Sequence, residues 1–307
     1  GPCLLSGGAR RDPAAAKSIL QYLDKKMAPA VRNHALLALL GLPLQGKEAS
    51  AAVGKLLPLL EDPDFGGIVK PALDVLWKLT PGKEHADRLM KLQKSPIAPV
   101  KMYAIKALGT FGSASSGQAL VDALWSDDTR LSETAAEALR SNPAYVPLLV
   151  KSLDAQEEVG RAFKVVHILK GFKNVLEKGL VKKFLTKALA MLHKKESGFQ
   201  AYFEIVRVAA PELAKKEVEK EGVELLKKKR FEDAERVLRL IQRDDLSTPE
   251  GDFALAITQL RQQRLDPAGA GRDQGNAIQL FMKLSRREGF SLLKQLEKGA
   301  ALVTPEG

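Results

Sequence analysis

A single cysteine, Cys3, in 307 residues leaves no pair for an intrachain disulfide and no cysteine-based metal site. Histidine is equally sparse: His34, His85, His167 and His193 are scattered, without the short spacing that metal ligation on one helix needs. Aromatic residues make up 6% of the chain, and strand formers are not clustered in alternating runs, which argues against a sheet. Long apolar runs are missing too. The stretch from Ala35 to Leu40 is broken by Gly41 and Pro43, far short of the ~18–20 residues of a membrane-spanning helix. There is no phosphate-binding Gly-rich loop followed by Lys and Ser/Thr, no His-Glu-x-x-His and no Gly-x-Ser-x-Gly. Gly7-Gly8 lies in a leader without the strand-to-helix context of a phosphate cradle.

A recurring pattern is what the sequence does have. An apolar residue is followed four positions later by a small one, and at seven and eight by an adjacent apolar pair. It reads Val31…Ala35…Ala38-Leu39, Ile68…Ala72…Val75-Leu76, Val100…Ala104…Ala107-Leu108 and Leu131…Ala135…Ala138-Leu139. A looser copy is Arg161…Val165…Ile168-Leu169. Successive copies start 37, 32, 31 and 30 residues apart, the period of a helical solenoid in which each helix pair buries its apolar face on the next. Proline, glycine and capping residues punctuate at helix spacing. Helices are expected over 13–26, 29–40, 49–60, 67–79, 83–94, 99–111, 117–125, 129–140, 144–153 and 157–170. Beyond these, Asn174…Glu177 reads as a capping box opening a helix to Lys195, followed by a helix over 199–210. Thr248-Pro249 caps a helix to Gln263, residues 264–275 read as a flexible loop, and Asn276…Gln279 reads as a second capping box. That box opens a terminal helix pair ending near Lys298.

The unit Pro99-Val100-Lys101…Ala104…Ala107-Leu108-Gly109, with Gly117–Leu124 and Ser126-Asp127-Asp128, resembles a HEAT repeat of the short bacterial type, similar to those of phycobilisome-lyase-like HEAT proteins. The resemblance covers residues 29–172, and what it implies is a fold: an all-α solenoid of helix hairpins. Further on, Glu221 to Leu238 resembles one tetratricopeptide helix pair, with a tight turn at Lys229–Phe231 and Ala234 in the second helix; the aromatic expected in the first helix is absent. The expected organisation is a leader over 1–12, a HEAT-like array over 13–197 and a more irregular helical region with the tetratricopeptide-like hairpin over 198–307.

Charge points to a surface rather than to a reaction. The formal net charge is +11, and between Lys164 and Lys195 nine lysines face one acid, Glu177. Within the helix over 178–195, Leu180, Val181, Phe184, Leu185, Ala188, Met191 and Leu192 form an apolar stripe of about 140°. Lys178 and Lys182 flank one edge of that stripe; Lys183, Lys187 and Lys194 flank the other, and Lys195 follows. Such a face attracts an acidic protein or phosphates, and it is equally the solvated side of an amphipathic helix. The block Lys227–Arg230 is balanced by surrounding glutamates. Trp77 and Trp125 stand near helix ends in separate repeats, where they fill the core or anchor a ligand. The alkyl-base DNA glycosylases combine HEAT-like repeats with a basic face, tryptophan and a catalytic Asp. Trp125 beside Asp127-Asp128 is the one local echo of that set, at a turn where acids are expected to cap a helix.

These readings favour a non-enzymatic protein-binding scaffold that uses a concave solenoid face or the basic 164–195 region, with no cofactor. A nucleic-acid-binding or HEAT-like DNA base-repair protein using a basic face is the alternative. Gly1-Pro2 resembles the remnant of a cleaved tag, and Cys3 after it resembles the lipid-bearing first residue of a bacterial lipoprotein. A lipidated Cys3 implies a bacterial envelope protein tethered to a membrane, and an unmodified one a cytoplasmic protein.

Overall fold

The computed structural model describes residues 15–61, 67–242, 246, 248–265, 270–287, 291 and 294, of which 263–265 and 270–276 as backbone only. The leader 1–12 and Cys3 lie outside the described residues, as does nearly all of the expected last helix. The described residues are α-helical, with short 3-10 turns and no strand, and neighbouring helices pack on one another as in an all-α, solenoid-like fold. By internal contacts the chain divides into two compact units, 1–155 and 156–307.

The first unit contains α1 (Ala15–Leu20), α2 (Pro29–Leu40), α3 (Gly46–Leu60), α4 (Val69–Leu76), α5 (Ala86–Leu92), α6 (Ala98–Leu108), α7 (Ala114–Leu124), α8 (Thr129–Arg140) and α9 (Val146–Asp154). Even-numbered helices form one layer, α2 on α4, α4 on α6 and α6 on α8. Odd-numbered helices form the other, from α1 on α3 through α7 on α9. The four well-formed copies of the repeated pattern fall on α2, α4, α6 and α8. Their central alanines, Ala35, Ala72, Ala104 and Ala135, are each at most 2% exposed, because a methyl group lets the next helix approach where a longer side chain would hold it off. Gly109 extends the same contact: a Cβ there would lie 2.7 Å from the Ala138 Cβ and 2.9 Å from its Cα.

Local chemistry sets the helix boundaries. Ser113 accepts from the Ser116 amide at 3.2 Å and starts α7 one turn earlier than the expected 117. Asp128 accepts from the amides of Arg130 at 3.0 Å and Leu131 at 3.3 Å, capping α8. Tyr145 ties the layers together. Its hydroxyl donates to the Leu108 carbonyl at 2.9 Å and accepts from the Gly112 amide at 3.0 Å, with the Ser116 hydroxyl 3.0 Å away.

The second unit contains α10 (Val159–Lys170), α11 (Lys178–His193), α12 (Phe199–Ala209), α13 (Pro211–Lys227), α14 (Phe231–Gln242), α15 (Pro249–Leu265) and α16 (Ala270–Ser285). Helix α12 packs on α10, α11 and α13, and α15 lies against α13, α14 and α16. Helices α11 and α13 both end in Schellman turns. Lys195 and Lys229 are left-handed (φ 62° and 59°), and the next amide bonds back to the last turn, Glu196 to Met191 at 2.9 Å and Arg230 to Leu225 at 3.0 Å.

Three expectations fail here. The Asn174…Glu177 capping box does not form: residues 172–176 turn on themselves through bonds from the Val175 and Leu176 amides to the Phe172 carbonyl, and α11 starts at Lys178 with no side-chain cap. The 264–275 loop is mostly helix, since α15 runs to Leu265 and α16 begins at Ala270. The second box, Asn276…Gln279, therefore lies inside α16, where the backbone amides already have helical partners.

Candidate docking surfaces

On α11 the apolar stripe forms as expected, with Val181, Phe184, Leu185, Ala188 and Leu192 buried. Lys178, Lys182, Lys183, Lys194 and Lys195 are exposed. Among the described residues these five have no acidic partner. Lys187 is half-buried, its ammonium 4.5 Å from the centroid of Tyr202, which packs against Phe184. Lys170 is neutralised by Glu204 at 2.6 Å. Glu204 also accepts from Arg207 through Nε and Nη2, both at 2.8 Å. The Arg207 bonds, with help from Lys170, hold its carboxyl below the usual carboxylate range despite partial burial. The positive surface of this region is thus the solvent side of α11. Its first turn carries Lys178, where a helix dipole favours an acid, and Glu177 at the N-cap is the one carboxylate beside it.

Trp77 caps the C-terminus of α4 and is 44% exposed. Tyr103 of α6 packs against it edge-to-face, with ring centroids 5.0 Å apart and planes at 85°. The Lys106 ammonium lies 5.2 Å from its centroid. Tyr103 itself is 2% exposed, its hydroxyl has no hydrogen-bond partner, and burial holds the phenol above the ordinary tyrosine range. Sequence reasoning did not find this partner, although Tyr103 sits one position before the central Ala104 of its repeat. Next to Trp77, Lys78 donates to the Leu40 carbonyl at 3.0 Å, closing the end of α2. Between these helix ends is a hollow of about 360 Å³, walled by the Leu40–Leu44 turn and Leu79 with Lys78 at its edge.

Trp125 ends α7 and is half-buried. The nearby Asp128 spends its carboxylate on the α8 amides, a capping role. His34 lies 2.7 Å through Nδ1 from the Ala30 carbonyl, and His193 pairs with Glu221 at 3.1 Å. Among the described residues no three of His, Cys, Asp and Glu are placed to hold a metal ion, and no helix is long and apolar enough to cross a membrane. Of the eight candidate partner-binding residues, Trp77 and Trp125 belong to the first unit and the six lysines to the second. No protein-family model matches this chain, and no curated protein is significantly similar to it.

Proposed function

We propose that this protein is a non-enzymatic scaffold or adaptor that binds other proteins through the faces of a HEAT-like helical array, with a tetratricopeptide-like hairpin in its second unit. The observation that carries the reading is the use of the repeat. The small residue at the centre of the pattern is buried on α2, α4, α6 and α8 alike, and these four helices form one layer. A layer built in this way presents an outer face whose side chains are free of packing duty, and repeat proteins use such extended surfaces for binding. Leu37, Trp77, Lys106 and Glu137 stand on that face, exposed, and differ from helix to helix. The lysine face of α11 is the second candidate surface and also motivates the alternative, nucleic-acid binding.

One experiment separates the two. The tagged chain is used to capture ligands from lysate of its source, and bound protein and bound nucleic acid are both measured as salt is raised. The scaffold reading expects a stoichiometric protein that survives moderate salt. Nucleic acid alone, lost steeply between ~50 and ~200 mM salt, overturns it in favour of phosphate recognition by Lys178, Lys182 and Lys183.

A further inference from the structure

We propose that the C-terminal ends of α2 and α4, with Trp77 capping α4, form a docking site for a peptide segment that carries an apolar side chain next to a carboxylate. The inference deepens the protein-binding reading and rests on it. Two features of these helix ends suit docking. The hollow of about 360 Å³ is lined by the leucine and proline side chains of the Leu40–Leu44 turn and by Leu79, with the Lys78 ammonium beside them, so it offers an apolar group a wall and an acid a cation. Trp77 and Leu37 keep 44% and 54% of their surface in solvent. Tryptophan is the residue type most often found at the energetic centre of protein interfaces.

Trp77 is also held in place before any ligand arrives. Tyr103 fixes it edge-to-face at 5.0 Å, and Lys106 stands 5.2 Å from its ring. A ring already ordered loses little freedom on binding, which removes part of the cost of association.

Charge selects the partner's sign. Lys78 borders the hollow and Lys106 stands by the indole, while Asp74, the acid one turn before Lys78, is engaged by Lys70 at 2.9 Å. Lys78 uses one of its protons on the Leu40 carbonyl and keeps two for a ligand. An incoming acid therefore meets two ammonium groups, and an incoming base is repelled. The fitting occupant is a chain segment whose Leu- or Phe-like side chain enters the hollow or covers the indole while an adjacent Asp or Glu reaches Lys106 or Lys78.

The test uses the full chain carrying Trp125→Phe, which leaves Trp77 as the only indole. A phage-displayed library of random twelve-residue peptides is selected on it, and synthetic peptides from the selected clones are titrated by Trp77 emission. The expected clones share an apolar residue beside an acid and shift that emission. Measured by a label on the peptide, their affinity falls at least ~10-fold with Trp77→Ala and ~3–10-fold with Lys106→Glu. Lys106 is exposed, so its reversal keeps the test decisive even if Trp77→Ala perturbs folding. Clones without the apolar–acidic pair, affinities indifferent to both substitutions, or no clone at all would overturn the proposal. The broader reading fails separately: it falls if lysate capture yields no stoichiometric protein, and stands if such a protein binds Trp77→Ala and Lys106→Glu chains as well as the unaltered one.

Discussion

Two buried tyrosines of the first unit are in opposite hydrogen-bond states, and removing each hydroxyl has opposite consequences. Tyr145 serves the Leu108 carbonyl and the Gly112 amide at once. Tyr145→Phe takes the acceptor from the Gly112 amide and leaves the Leu108 carbonyl with the Phe111 amide alone, and a loss of about 1–3 kcal/mol in urea unfolding is expected. The Tyr103 hydroxyl serves nothing. Tyr103→Phe removes an unsatisfied polar atom at unchanged ring packing, so stability stays level or rises by about 1 kcal/mol. At Glu204, bonds from Arg207 and Lys170 depress the folded-state pKa. A depressed carboxyl contributes stability above its unfolded pKa, near 4.3, and loses it as pH falls through the lower folded value. Glu204→Gln should therefore cost about 1 kcal/mol at neutral pH, with solvent screening allowed for, and its deficit against the unaltered chain should vanish in acid. A deficit that persists at low pH would assign the effect to packing instead.

Among elements, close approach and helix termination dominate. Helix α6 meets α8 at Gly109, where a methyl would press on the Ala138 backbone as well as its side chain. Side-chain rotation cannot relieve that contact. Gly109→Ala is expected to cost about 2–3 kcal/mol and to lower the thermal midpoint, although alanine is the better helix former. Lys195 and Lys229 show the reverse case, with a side chain where the left-handed turn favours none. Lys195→Gly should raise stability by about 0.5–1 kcal/mol. A loss at Lys195 would mean that its side chain makes a contact worth more than the strain.

Over the whole molecule the dominant quantity is the +11 net charge, most concentrated on the solvent side of α11. Like-charge repulsion opposes the compact state and is screened by salt. The urea midpoint followed by circular dichroism should rise as NaCl goes from ~20 to ~300 mM, and a flat response would mean that ion pairs such as Lys170–Glu204 lose as much as the lysines gain. Both tryptophans lie in the first unit, so indole emission reports that unit alone while dichroism reports both.

The helical class, the repeat on α2, α4, α6 and α8, and the apolar stripe of α11 were all legible in the sequence, because each is a periodicity that local geometry converts directly into burial. The turn expected at Lys229–Phe231 was legible to within a residue for a similar reason, an interruption between two amphipathic runs; it falls at 228–230, and Phe231 opens α14. The false capping boxes at Asn174 and Asn276 show the limit of local signals. The same four-residue pattern begins a helix only where the backbone amides lack other partners, and that depends on what the chain does before it. Trp77 could be picked out as a residue and Lys78 follows it in sequence, but Tyr103, Lys106 and the Leu40–Leu44 turn come from other helices of the stack. Composition and spacing thus determined the kind of helices this chain makes. Only the packing of one helix on another decided which side chains were left in solvent, since burial is settled by neighbours distant in sequence.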